Sequence, residues 1–182
     1  KLKYIDIIQR EMPRLIVSSP SENIAKLAEK FLKSIGCKAE SISYSAVLRE
    51  EGMNNIVLDK DVDLGILYSE NGESMQITDG FHIVSGEKYY LLNLLIGLKT
   101  GEVEDALIPY NYPRIMEKLA QDYEVDIEYG RSNVSEMIGA LADRDNEFQY
   151  ILNCDGIWAT GKLMDYLIAY DTTLNRLIQE LP

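Results

Sequence analysis

The 182-residue sequence has few of the residues that build metal and nucleophile sites: one histidine, two cysteines and one tryptophan. Cys37 and Cys154 lie far apart and neither belongs to a C-x-x-C pair. This spacing excludes the usual zinc pattern and is typical of the reduced, cytoplasmic compartment, where we expect the protein. No run of about 18 apolar residues and no basic-then-apolar leader is present, so the sequence predicts neither a membrane span nor a signal peptide.

Basic residues are also scarce, because 18 Lys and Arg stand against 30 Asp and Glu, a formal net charge of −12. A surface this acidic repels phosphate backbones, so we expect no nucleic-acid partner. The same repulsion disfavours anionic sugar phosphates unless basic residues cluster locally. The length allows one large domain or two small ones. Because the chain opens at Lys1 in the middle of a pattern, we interpret it as a fragment of something longer.

Motifs that identify an enzyme class directly are missing. There is no phosphate-cradling P-loop, and the glycines never form a G-x-G-x-x-G pattern after a strand. His82 has no Ser, Cys or Glu at the spacing of a triad or metal site, so we interpret it as structural. Trp158 falls on the inward face of the last long helix, which favours a place in the core.

Short apolar runs alternate with helical periodicity along the whole chain. The clearest helix repeats apolar residues from Ile24 to Ile35, with Ser19 as the expected N-cap, Pro20 and Glu22 in its first turn, and Gly36 as a left-handed C-cap. The other predicted helices begin with one that starts at Tyr4 and ends near Pro13, and they continue over 46–51, 85–98, 113–123, 133–141 and 156–170. Asp155 is the expected cap of the helix 156–170, and a short helix follows near the end. The predicted strands are 15–17, 39–44, 64–68, 75–78, 106–108, 125–129 and 150–152.

This alternation predicts an α/β fold with mixed, mostly parallel sheets that are covered by helices on both faces. The pattern restarts near residue 82, where a long helix follows a hairpin. We therefore expect two three-layer α/β/α domains, over residues 1–81 and 82–182, packed closely because no separable linker intervenes.

Two stretches are candidates for a site. The dipeptide Asn71-Gly72 predicts a tight primed turn whose tip carries Ser69, Asn71 and Glu73; taken alone, such a tip is a solvated turn. Gly130-Arg131-Ser132 follows a strand and opens a helix, so its N–H groups and guanidinium suit an anion. The alternative is a plain strand-to-helix turn with Ser132 as N-cap.

The order of these segments resembles the phosphohexomutases, the phosphomannomutase and phosphoglucomutase family. Asp63-Leu-Gly-Ile-Leu-Tyr-Ser-Glu-Asn-Gly-Glu-Ser is similar to that family's metal loop, where D-L-G-I-A leads into D-G-D-A-D-R. Asp155-Gly-Ile followed by Lys162-Leu-Met resembles its D-G-I-x-x-x-x-x-L-L, and Gly130 to Ser132 fall where the family has a glycine-centred turn that contacts ligand. The resemblance covers nearly the whole chain and implies a phosphoglucomutase-like fold, matching the second and third of that family's four domains.

The resemblance also implies that the active-site loops have degenerated. The family holds Mg²⁺ with three loop aspartates, a hard oxygen set that suits this ion. Their equivalents here are Ser69, Asn71 and Glu73, so at most one carries charge, and the family's sugar-reading G-E-x-S-G-H loop has no counterpart. The lysine that the family carries on the first strand of its third domain is matched here by Tyr110. We therefore predict no catalytic residue and no cofactor in the fragment, with Mg²⁺ only if the family site is retained.

Three hypotheses for function follow. The first is a catalytically silent structural, oligomeric or regulatory region of a sugar-nucleotide biosynthesis protein, fused to a sugar-phosphate nucleotidyltransferase. The second is part of an active mutase that interconverts hexose 1- and 6-phosphates with domains missing here. The third is a hexose-phosphate sensor that uses Arg131. The expected partners are the other domains of the parent chain and a further copy in a homo-oligomer, with no nucleic acid and no membrane.

Overall fold

The computed structural model describes residues 2–130 and 154–181, together with residues 136, 139, 140 and 143 between them. The predicted strand 150–152 lies outside the described residues. So does most of the predicted helix 133–141, of which Glu136, Gly139 and Ala140 are helical. None of the described helices is long and apolar enough to cross a lipid bilayer.

The bounded helices fall close to the predicted ones. They are α1 (Ile5–Glu11), α2 (Glu22–Ile35), α3 (Tyr44–Arg49), α4 (Met53–Lys60), α5 (Glu87–Thr100), α6 (Ile115–Asp122), α7 (Gly156–Ala169) and α8 (Leu174–Gln179). Gly36 ends α2 in the left-handed conformation, with φ of 109°, and its N–H bonds to the carbonyl of Leu32, as predicted for this C-cap. Among these helices only α4 was not predicted; two asparagines and an initiating glycine make its sequence a weak helix former.

The strands form two sheets. They are β1 (Arg14–Ser18), β2 (Lys38–Ser41), β3 (Leu64–Tyr68), β4 (Met75–Thr78), β5 (Ile83–Val84), β6 (Asp105–Pro109) and β7 (Asp126–Gly130). The first sheet has the order β2-β1-β3-β4-β5, with β2, β1 and β3 parallel and β4 and β5 antiparallel. In the second, β6 pairs in parallel with β7. The fold is therefore α/β with mixed, mostly parallel sheets, as predicted.

Helices cover both faces of the first sheet, because successive side chains of β1 point alternately into two different clusters of apolar residues. Leu15 and Val17 face the main core cluster, whereas Ile16 joins a smaller cluster with Val47 and Met53 from α3 and α4. The main cluster also contains residues of α1, α2, α5 and α7, so a single core runs through both halves of the chain. The division at residue 82 stays a prediction; β5, just beyond it, belongs to the first sheet.

Two local predictions were wrong. The N-cap of α2 is Ser21 rather than Ser19, and α2 begins at Glu22. Ser19 is instead buried, with 3% of its surface exposed, and its hydroxyl is used by another part of the chain. The second error concerns Asn71-Gly72, because Gly72 has a positive φ of 77° but Asn71 does not. A type I′ turn needs positive φ at both central positions and a type II′ turn needs it at the first, so Asn71-Gly72 forms neither, and the connection is a longer loop.

Candidate functional site

The carboxyl ends of β1 and β3 form the natural place for a site in this fold. Strand β1 is the first strand in sequence and pairs with β2 on one side and β3 on the other, so the strand order reverses here. Open α/β sheets bind ligands in the crevice at such a reversal. The residues that follow the two strands are Ser19 and the connection 69–74, which we call the tip loop.

The tip loop satisfies its own polar groups. Ser69 Oγ donates to Asn71 Oδ1 at 2.7 Å and accepts from the N–H of Ser74 at 3.1 Å. Asn71 Oδ1 also accepts from the N–H of Glu73 at 3.2 Å. The main chain closes the loop with bonds from Ser69 N to Ser74 O and from Gly72 N to Ser69 O. Two of the three side chains predicted as metal-loop equivalents therefore hold the loop together.

Ser19 connects the tip loop to β1. Its hydroxyl donates to the carbonyl oxygen of Ser69 at 3.0 Å and accepts from the N–H of Ser21 at 3.1 Å. The buried hydroxyl thus both donates and accepts, as buried polar groups require. The contact spans the crevice between β1 and β3, so the crevice is bridged at this point by protein atoms.

The N-terminus of α7 packs directly on the tip loop. Asp155 caps the helix by accepting from the N–H of Trp158 at 2.9 Å, as predicted. The next N–H, that of Gly156, donates to the carbonyl oxygen of Gly72 at 2.9 Å. A Cβ on Gly156 would lie 2.9 Å from that oxygen and 3.2 Å from the carbonyl oxygen of Ser74. Only glycine allows this approach of two main-chain segments.

A buried hydroxyl pair lies beneath the loop. The Tyr68 hydroxyl lies 2.7 Å from Thr160 Oγ1, and the Thr160 hydroxyl lies 2.9 Å from the carbonyl oxygen of Gly156. Burial raises the pKa of Tyr68, so this phenol stays neutral and serves as a hydrogen-bonding group. The contact fixes α7 to β3 through two residues that are 92 positions apart in sequence.

The residues present do not fit a Mg²⁺ site of the three-carboxylate kind. Asn71 Oδ1 and Ser69 Oγ are engaged within the tip loop, and Glu73 supplies the one carboxylate among the three equivalents. Mg²⁺ needs octahedral oxygen ligands, usually with one or two carboxylates free to reach it. In the part of the chain that the structure describes, no group of three or more His, Cys, Asp or Glu side chains is arranged to hold a metal ion.

The two cysteines differ in exposure. Burial raises the pKa of the Cys37 thiol to about 12. Burial, with the carboxylates of Glu73 and Asp155 as further causes, raises the pKa of the half-buried Cys154 thiol to about 11. A thiolate is the reactive form of cysteine, so both thiols are held in their unreactive form near neutral pH.

We expect Cys154 to react with a disulfide reagent at pH 8 about 10- to 100-fold more slowly than an ordinary thiol, because little of it is thiolate. Its rate should rise about tenfold per pH unit until the pH approaches its raised pKa. Stopped-flow absorbance follows the reaction, and comparison with the Cys154→Ser variant separates the reaction of Cys154 from that of Cys37. A rate at pH 8 equal to that of free cysteine would show that the thiol is not shielded.

The second predicted site is only partly described. Gly130 ends β7, and its carbonyl oxygen accepts from the N–H of Tyr110 at 3.0 Å. Arg131 and Ser132 lie outside the described residues, so the predicted anion site stays a prediction. Tyr110 is 69% exposed and stacks on Tyr129 with 5.6 Å between ring centroids.

Two residues singled out in the sequence have structural surroundings. The Nδ1 of His82 lies 3.1 Å from Oδ2 of Asp79, just beyond the end of β4. Trp158 is half-buried and packs on Phe31, with 5.6 Å between ring centroids, and its Nε1 is buried without a hydrogen-bond partner among the described residues. These contacts hold a turn and a helix in place, so we assign neither side chain a part in the candidate site.

Sequence reasoning missed Ser19 and Thr160 as members of this site. Their partners are 50 and 92 residues away, and no local signal marks such contacts. Gly156 was recognised within the Asp155-Gly-Ile motif, but its close approach to Gly72 was not predicted.

Comparison with solved structures identifies the fold. A phosphoglucomutase/phosphomannomutase family protein from Burkholderia thailandensis matches 98% of this chain with a TM-score of 0.72 at 12% identity, over 46% of its own length. A protein assigned as a phosphomannomutase from Thermus thermophilus matches 98% of the chain with a TM-score of 0.68 at 11% identity, over 49% of its length. The chain thus spans about half the length of these neighbours. No protein-family model and no curated protein sequence matches it.

Proposed function

We propose that this chain is a non-catalytic structural or regulatory region of a sugar-nucleotide biosynthesis protein, built on the phosphoglucomutase-like fold. The tip loop takes the place of a metal loop and acts as a joint between the first sheet and α7. A fused sugar-phosphate nucleotidyltransferase is the parent architecture that we favour. The expected partners are the other domains of that chain and a further copy in a homo-oligomer.

One observation carries this proposal: the polar groups of the tip loop are used within the protein. The Asn71 and Ser69 side chains bond to each other within the loop. The Ser19 hydroxyl donates to the carbonyl oxygen of Ser69, and the N–H of Gly156 donates to the carbonyl oxygen of Gly72. A loop that binds an ion needs its oxygens turned toward the ion, and rearranging this one would break several of these bonds. Stabilisation of phosphoryl transfer depends on charge at the site, and the loop has one carboxylate among the three positions that match the family's aspartates.

Calorimetric titration with MgCl₂ and glucose 1-phosphate, or mannose 1-phosphate, tests the proposal. We expect no saturable Mg²⁺-dependent binding in the micromolar range, because Ser69 and Asn71 are engaged within the tip loop and Glu73 is the one carboxylate among the three matching positions. Saturable binding that Glu73→Gln abolishes would contradict the proposal. Hexose-phosphate binding without Mg²⁺, with a thermal stabilisation that Arg131→Ala removes, would favour the sensor hypothesis instead.

The second candidate function is part of an active mutase. The match extends over 98% of this chain but only about half of each neighbour, so half of such an architecture has no counterpart here. Domains elsewhere in a parent protein would then have to supply the phosphorylated serine and the phosphate-gripping loop. Interconversion of hexose 1- and 6-phosphates by the full-length parent, lost on Glu73→Gln, would establish this function and overturn the first.

A further inference from the structure

An apolar groove lies at the opposite edge of the first sheet, where β3 begins. It has a volume of about 690 Å³, within the range of sites that bind ligands and peptide side chains. Its walls come from α1, α7 and the segment leading into α8. The apolar side chains that line it include Ile7, Leu64, Met164, Leu167 and Leu174.

The rim of this groove is acidic. Four carboxylates line it, those of Glu11, Asp63, Asp79 and Asp171, against one guanidinium, that of Arg10. The Arg10 side chain is already paired with Glu11, with Nε 3.1 Å from Oε1. The other three carboxylates have no Lys or Arg side chain beside them among the described lining residues; Asp79 lies next to the His82 ring, and Asp63 Oδ2 accepts from the main-chain N–H of Arg14 at 2.6 Å.

Asp79 remains ionised on this rim. Burial acts to raise its pKa, but hydrogen bonds from the N–H of His82, the His82 ring and the N–H of Phe81 outweigh burial and lower the pKa below its usual value. The carboxylate is therefore a fixed negative charge near neutral pH. The groove thus presents an apolar floor beside several negative charges, a combination that suits an occupant with one apolar face and basic edges.

Phe81 stands on the rim with 80% of its surface exposed. The turn that carries it is rigid, because Asp79 Oδ1 accepts from the N–H of Phe81 at 3.0 Å and from that of His82 at 2.7 Å. Thr78 Oγ1 accepts from the N–H of Gly80 at 2.9 Å in the same turn. Because the main chain that carries this exposed aromatic ring is already ordered, binding through the ring loses less entropy, which suits a binding hot spot.

We propose that this groove binds a basic amphipathic helix of a partner protein, with its apolar face on the floor and Lys or Arg side chains against the rim. The walls are mostly helical, so the geometry fits a helix laid in a groove. A second copy of the chain would bring the same carboxylates against each other, and an anionic lipid surface or nucleic acid would be repelled. Charge therefore selects a basic occupant.

Selection from a peptide-display library tests this inference. Random peptides of about 16 residues, long enough for four helical turns, are selected on the full chain at about 0.15 M salt, where long-range charge effects are screened. Binders to the Phe81→Ala variant are removed at each round. We expect the enriched sequences to be net basic, with apolar residues spaced by three and four positions.

Fluorescence anisotropy of one labelled winner then measures each contribution. Phe81→Ala should weaken binding at least about tenfold, as loss of a hot-spot ring does. Asp171→Asn should weaken it about threefold, because one rim charge is lost while asparagine tolerates the left-handed backbone of this residue. Tyr110→Ala removes another exposed aromatic ring outside the groove and should leave binding unchanged.

Three results would overturn the inference. The first is enrichment of acidic or non-periodic peptides, or no enrichment that depends on Phe81. The second is an equal loss of binding in Tyr110→Ala. The third is a concentration-dependent dimer that Phe81→Ala converts to monomer in sedimentation velocity, because the occupant would then be a second copy. Circular dichroism of each variant separates lost binding from lost folding.

Discussion

Gly156→Ala is expected to lower the free energy of unfolding by about 2 kcal/mol, within the usual range for overpacking a tight contact. The added Cβ would meet the carbonyl oxygens of Gly72 and Ser74, which are main-chain atoms and cannot rotate away. Helix α7 would have to move off the tip loop. That movement stretches the bond from Gly156 N to Gly72 O and the buried contact between Tyr68 and Thr160.

Urea unfolding measures this loss of free energy, and the fluorescence of the single tryptophan reports on the region around α7. Trp158 lies in the first turn of α7 against Phe31, so its fluorescence reports how the helix packs. Gly139→Ala is the matched control, because Gly139 is helical and no atom of the described residues lies within 4 Å of the added methyl group. The control should be neutral or stabilising by up to about 1 kcal/mol. Equal midpoints for the two variants would show that the tip loop is not a joint.

The sequence predicted those features of the fold whose causes are local. Gly36 ends α2 and Asp155 begins α7 because a left-handed glycine and a capping carboxylate act on neighbouring main-chain groups. Strand β3 was predicted from its apolar run, and the alternation of strands and helices indicated the fold class.

The errors share a different cause. Ser19 looks like a helix cap from its neighbours, yet its hydroxyl is taken by Ser69, which reaches it only when β1 and β3 pair. The tip loop likewise looks like a two-residue turn, yet Ser19 and Gly156, from distant parts of the chain, donate to the carbonyl oxygens of Ser69 and Gly72. Such competition between local and distant partners is settled by tertiary structure. The sequence therefore singled out the tip loop as a candidate, but the contacts that connect it to β1 and α7 were not predicted.

The groove illustrates the same limit. Phe81 and Asp79 follow the hairpin in sequence, and Glu11 and Asp171 lie at opposite ends of the chain. No periodicity links them, because the groove is assembled by the packing of α7 on α1. Only the folded chain brings an exposed ring and a set of carboxylates around one apolar floor.

That packing depends on one buried carboxylate, and Asp165→Ala is expected to lower the free energy of unfolding by about 3 kcal/mol. Asp165 lies in α7 and is 6% exposed. Its Oδ1 accepts from the N–H of Tyr4 at 2.7 Å, and its Oδ2 accepts from the N–H of Lys3 at 3.0 Å. Tyr4 is the N-cap of α1 and has no side-chain cap of its own. The Asp165 carboxylate of α7 thus acts as the cap at the N-terminus of α1.

Asp165→Asn separates the contribution of the negative charge to stability from that of the size and shape of the side chain. The amide keeps one oxygen acceptor but loses the negative charge that favours a helix N-terminus, so a loss of about 1 kcal/mol is expected. Asp122→Ala, which removes an exposed carboxylate in α6, is the control and should stay within about 0.5 kcal/mol of the parent. Hydrogen exchange gives a second readout, because the N–H groups of Ile7 and Ile8 bond to the carbonyl of Tyr4 and should lose protection first. Unchanged protection of these two amides in Asp165→Ala would mean that α1 is held by its apolar contacts alone.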